Sequence, residues 1–305
     1  MNAGRSNRAL PQRSPVMRWQ RGLWLFLVPS FGLMALVLLW PLAYAAYLST
    51  FDYYLGSKEM RFVGLANYVQ LLSEARLWQS LWTTIIIALG SVGVEFALGF
   101  ILAFALYRLT FSARVFMILL FLPHIITPVV ATLFLKWILT SNWGLIDATL
   151  MTFNIGPPDW LGNPYWAKVC VILADAWIFT PFVMLVLYAA LQALDQAQIE
   201  AASIDGADSW RLIRHIILPS LVPVIVFTVS VRLMDVFRFF DAVYVLTGGG
   251  PGTATETVTM YTYQLGFQLL QVGKASALGI ITLIIVATII ATFSHILQRG
   301  YRRSA

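Results

Sequence analysis

Six long apolar runs separated by short polar stretches dominate the chain, at roughly 22–48, 80–106, 115–139, 166–191, 219–246 and 277–297. A helix rising about 1.5 Å per residue crosses a hydrocarbon core about 30 Å thick with a run of this length. Inside that core each backbone amide must find its partner within the segment, so helices are predicted. The ten-residue alternation of an outer-membrane strand is absent. The pattern predicts an all-α polytopic membrane protein with six transmembrane helices over 22–297, and no loop long enough to fold as a soluble domain.

One polar stretch, 192–218, differs from the rest; it contains most of "EAASIDGADSWRLIRHIILP", residues 200–219. Leu194, Ala197, Ala201 and Ile204 recur at helical spacing and give one apolar face. Asp195 is placed as an N-cap, with Gln198 three residues on as in a capping box. Gly206 permits a turn, and Asp208 or Ser209 can cap a second short helix. Pro219 is expected to restart the chain at the first turn of the fifth span, where a missing amide costs nothing. Two readings are open: an amphipathic loop lying against headgroups, or a rigid knuckle able to push on two spans.

Composition narrows the class. Of 305 residues 59% are hydrophobic and 11% charged, and the mean hydropathy of +0.78 excludes a water-soluble globule. Cys170 is the only cysteine, which excludes an intrachain disulfide and a cysteine metal cluster. The formal charge of +6 does not point to nucleic acid, because the arginines are scattered among short loops and both ends. Their distribution predicts topology instead. With a basic N-terminal tail (1–21) inside, the segments 1–21, 107–114, 192–218 and 298–305 hold twelve Lys and Arg, against four in 49–79, 140–165 and 247–276. The positive-inside rule then puts both termini and the 192–218 loop in the cytoplasm. A cleaved signal peptide ending near "LAYAA" (42–46) is disfavoured, since the preceding run exceeds an h-region of about 7–15 residues.

Glu200-Ala201-Ala202, three residues, Gly206, nine residues, then Ile216-x-Leu218-Pro219 resembles the EAA motif of permease subunits in binding-protein-dependent ABC importers. "FVGLANYVQLL" (62–72) and "FDAVYVLTGGGPGTATET" (240–257) are similar to stretches of the carbohydrate-uptake type, the maltose/glycerol-phosphate-like branch. Asp195-Gln196 departs from the Ile-Pro often found there. The resemblance implies the type I importer permease fold in a bacterial inner membrane. It also implies a heterodimer with a second homologous permease, a dimer of ATP-binding subunits and a periplasmic solute-binding protein. Glu200, Ala201, Ala202, Asp205, Gly206, Leu218 and Pro219 would couple to the ATPase. No cofactor is expected on this chain, with ATP and Mg on the partner ATPase. The residues agree: no G-x-x-x-x-G-K-[ST] loop is present, and "QVGKAS" (271–276) has Gln268 and Ala275 at the wrong places.

Ionisable groups inside spans are candidate pathway residues. Arg232, Asp235, Arg238 and Asp241 recur every three residues in the fifth span. They form either an internally neutralised ladder or part of a solvated face with Thr228, Val236 and Phe239. The resemblance favours the second, with Phe239 stacking on a sugar, Arg232 and Asp235 meeting hydroxyls, and Asp175 also on the path. An arginine at that depth suggests an anionic sugar, phosphorylated or sulfonated. Glu95 is expected to bond between helices, Lys136 and Lys168 to snorkel, Pro123 and Pro128 to kink the third span beside His124, and no metal site is expected. "TGGGPG" (247–252) suits a receptor contact or gate. The rival class is an ion-coupled secondary transporter of small polar solutes, although the inverted repeats usual there are not visible.

Overall fold

A proline marks the bend in the third apolar run. In the computed structural model, which describes residues 16–57, 59–109 and 113–304, with side chains described from residue 27 to 292, the third run is two helices. They are α4 (Ala113–Ile125) and α5 (Pro128–Ile138), meeting at 91°. Thr127 is extended (φ −58°, ψ 135°), the conformation a following proline imposes. The expected kink of a single span is therefore a break. Most of the expected N-terminal tail lies outside the described residues.

The other elements precede and follow this break. The helix α1 (Val16–Leu48) starts ahead of the expected bound at 22, and a short antiparallel ribbon, β1 (Phe51–Tyr53) with β2 (Met60–Phe62), follows it. Asn67 in α2 (Ala66–Ser73) holds this turn by donating to the Ser49 and Phe51 carbonyls. Next come α3 (Ala75–Arg108), α6 (Leu145–Thr152) beyond the break, and α7 (Pro164–Gln192). The polar stretch forms α8 (Gln196–Ile204) and α9 (Ser209–Leu212). Then follow α10 (Leu218–Phe237), α11 (Asp241–Leu246), α12 (Val258–Tyr263) and α13 (Val272–Ser304). The helix α13 continues past 297, so the expected C-terminal tail is mostly helical.

Two expectations for the fifth span fail. Pro219 does not restart a helix: Ser209–Phe237 is continuous, and Ile213–Ile217 widen into a π-turn in which the Leu218 amide bonds the Ile213 carbonyl. The wider coil accommodates the amide that proline lacks. At its other end α10 stops at Phe237, not 246. Arg238 and Phe239 donate to the Asp235 and Val236 carbonyls, a tightened last turn, and Thr259 Oγ1 donates to the Phe237 carbonyl at 2.9 Å.

Helices α3 and α7 are the central pair. Gly99 permits their approach, since a Cβ there would lie 2.8 Å from Val183 Cγ1 and 3.2 Å from the Met184 amide nitrogen. Buried Ile87, Val92, Val171, Val236, Phe237 and Val243 join this pair to α10 and α11 in one core. Ala103, Leu106, Leu187, Leu191, Ile217 and Leu221 make a second at the end nearer α8.

Candidate functional site

At one end of the bundle the polar stretch forms the expected knuckle. Asp195 Oδ1 accepts from the Ala197 amide at 3.0 Å, and Asp208 Oδ1 accepts from the Arg211 amide at 2.8 Å, so both short helices are capped by carboxylates. Gly206 lies between them at φ +81°, the left-handed region that a side chain resists. Gln196 shares hydrogen bonds with the Tyr107 hydroxyl, and Arg108 donates to Ser209 Oγ at 3.0 Å, fixing the knuckle to the end of α3. The sequence reading missed Gln196; the departure at 195–196 supplies a cap and a tether. Glu200, Ala201, Asp205 and Gly206 are exposed on the knuckle, Ala202 is half-buried, and Leu218 and Pro219 are exposed beyond it. Ile204 is 86% exposed and Trp210 65%, so these two apolar side chains are not spent on the bundle, whereas Leu194 packs against its core.

Deep in the bundle lies a buried ionic cluster. Glu95 on α3, Asp175 on α7 and Arg232 on α10 are all fully buried. Arg232 Nε and Nη2 donate to the two Glu95 oxygens at 2.7 and 2.8 Å, a bidentate pair. Nη2 also reaches the Asp175 oxygens at 3.3 and 3.2 Å, and Nη1 approaches Asp235 at 3.5 Å. The guanidinium lies 3.7 Å from the centre of the Phe179 ring.

This overturns the single-face reading. Thr228, Arg232 and Val236 are buried inside the chain, Arg232 against Asp175, and none of them borders either of the two cavities that Arg238 and Phe240 line. Asp235 (side chain 46% exposed) and Phe239 do border one, of about 250 Å³, with Pro128, Phe179, Arg238, Phe240 and Asp241. The ladder reading fails as well, because Arg232 pairs chiefly across helices. Arg238 is exposed at the helix break, and sequence spacing alone gave no sign that it would leave the helix. Lys136 does not snorkel: its Nζ donates to the Val245 carbonyl at 2.7 Å. His124 meets the Ile178 carbonyl at 3.0 Å among Phe121, Phe179 and Phe182.

A larger cavity of about 910 Å³ lies between α1, α12 and α13. Arg238 and Phe240 border both cavities. Above them, at the end away from the knuckle, a second set of charges ties α3 to α12 and α13. Arg76 Nη2 donates to Glu256 Oε2 at 2.6 Å and its Nε to Oε1 at 3.0 Å. Tyr261 Oη donates to Glu74 Oε2 at 2.6 Å, and Lys274 donates to Oε1. Burial pushes the Glu74 carboxyl up, but these two donors together hold it below its ordinary range. Burial and the bond to Glu74 push the Tyr261 hydroxyl up.

Residues 95–303 match the family described as "binding-protein-dependent transport system inner membrane component". A probable ABC transporter permease protein of Sinorhizobium fredii is 35% identical over 277 residues, covering 90% of this chain and 89% of the relative. A trehalose/maltose transport system permease protein of Thermococcus litoralis is 35% identical over 228 residues, 75% of this chain and 77% of the relative. Among solved structures, a chain of a bacterial alginate ABC transporter in complex with an alginate-bound periplasmic protein superposes with a TM-score of 0.82. It is 22% identical, over 93% of this chain and 96% of that one.

Proposed function

Because the chain belongs to the family of inner membrane components of binding-protein-dependent transport systems, we propose that it is the permease subunit of an ATP-driven importer of a sugar, glycoside or sugar derivative. The observation that carries the coupling is the knuckle: two capped helices around Gly206, tethered to α3, presenting exposed Ile204 and Trp210. Such a rigid knuckle with two unspent apolar side chains suits docking into a cleft of an ATP-hydrolysing subunit. ATP and Mg are then held by that partner, and the 192–218 loop and both termini are cytoplasmic. A second, related permease shares the pathway, and a periplasmic binding protein delivers the sugar at the opposite end.

The substrate meets the break after α10. Asp235, Arg238 and Asp241 offer hydroxyl-binding groups there, and Phe179, Phe239 and Phe240 offer rings for a sugar's apolar face. Arg232 no longer supports an anionic substrate, since carboxylates already satisfy it. Two carboxylates to one guanidinium at the cavity suit an uncharged polyol better.

The test is uptake into liposomes containing the whole complex with its binding protein, using trehalose and maltose as probes. Uptake requiring ATP inside the ATPase-facing compartment is expected. Uptake driven by an ion gradient alone would favour the secondary-transporter class and overturn the reading.

A further inference from the structure

We propose that Arg232 is a positioning residue, a pin that holds α10 against α3 and α7 and so fixes the helix break presenting Asp235 and Arg238 to the cavity. The proposal rests on the import reading for its uptake assay alone. Arg232 is fully buried, so a molecule in the cavity cannot reach it in this conformation. Its bidentate bond to Glu95, its bonds to Asp175 and its approach to Asp235 draw on three helices at once. The pin lies less than two turns before the break at Arg238, and Phe179 links the two. One face of that ring covers the Arg232 guanidinium at 3.7 Å, while the ring also borders the cavity and meets Phe239 edge-on at 6.3 Å. Arg232 therefore backs the cavity wall without forming its surface.

Charge counting separates this role from substrate contact. Removing Arg232 alone leaves Glu95 and Asp175 buried without a counter-charge, which is strongly unfavourable. Replacing all three by neutral groups of similar shape removes that penalty. A substrate ligand would not be rescued that way.

The experiment compares wild type, Arg232→Met, and the triple variant Arg232→Met/Glu95→Gln/Asp175→Asn in the complete reconstituted importer. The readouts are trehalose uptake against the concentration of loaded binding protein, and the thermal midpoint of the purified complex. Arg232→Met is expected to lower maximal uptake about tenfold or more, with half-saturation moved less than about twofold, because the binding groups remain but are misplaced. The triple variant is expected to recover maximal uptake to within about threefold of wild type and to raise the midpoint above that of Arg232→Met. A triple variant as impaired as the single one overturns the pin, as does an Arg232→Met variant with raised half-saturation and an intact maximal rate. If Arg232→Met fails to assemble, the triple variant decides by assembling and transporting or not. If the wild-type complex takes up neither trehalose nor maltose, those two sugars are excluded as substrates, separately from the pin. The thermal midpoints then decide the pin: recovery in the triple variant supports it, and none overturns it.

Discussion

Tyr261 and Glu74 are joined by a 2.6 Å hydrogen bond that ties α12 to the start of α3, with Lys274 on the other carboxylate oxygen. The folded state holds the Glu74 carboxyl below its ordinary value of 4.5. Its contribution to stability is thus complete above about pH 4.5 and is lost as pH falls through the lower folded value. Tyr261→Phe is expected to weaken this acid-side loss and to cost about 1 kcal/mol near neutrality. Thermal midpoints of the purified complex between pH 3 and 7 check both.

Arg76→Ala should be more damaging than removal of an ordinary surface arginine. Its partner Glu256 is 2% exposed and would lose a bidentate counter-charge. The cost is about 2 kcal/mol, discounted because Arg76 itself is 38% exposed. Arg76→Lys, which keeps the charge and loses the fork, should recover about half. Denaturation of the detergent-purified complex reads the difference.

Gly206→Val forces a β-branched residue into φ +81°, at a cost of about 1–2 kcal/mol of local strain. We expect the knuckle to deform while the bundle stays folded. ATP hydrolysis by the complex should then continue with sugar uptake lowered at least about tenfold, and Gly206→Asn should be milder. Intact coupling in the valine variant would count against the docking reading.

Around the break, Asp235→Asn and Arg238→Gln each replace a charged partner by a neutral one. If these groups meet sugar hydroxyls after the binding protein has docked, maximal uptake should fall about tenfold, equivalent to about 1.4 kcal/mol. Half-saturation for loaded binding protein should change little. The opposite split would place both residues in the docking of the binding protein instead of on the sugar's path.

The knuckle was legible because its determinants are local: Asp195 and Asp208 cap the residues that follow them, and Gly206 sits between. Apolar length likewise revealed the long helices. The ionic cluster was not legible, because Arg232 finds Glu95 137 positions away and Asp175 57 positions away. Three-residue spacing suggested pairing along one helix, and tertiary packing overrode it. Apolar residues resume after Arg238 and continue beyond Asp241 to Leu246, so apolar length hid the stop at Phe237; the Thr259 hydroxyl, 22 positions on, takes part in it. Pro128 did mark the bend in the third run, but a proline signals a bend more clearly than its angle.

The π-turn ahead of Pro219 keeps one unbroken rod from Ser209 to Phe237. At about 1.5 Å per residue this lever is about 43 Å long, so a tilt of about 5° at its Ser209 end swings the far tip by about 4 Å. That travel exceeds a hydrogen-bond length, and it arrives where Asp235 and Arg238 border their cavity. A small tilt at the Ser209 end of such a rod would thereby become a larger displacement at its Phe237 end.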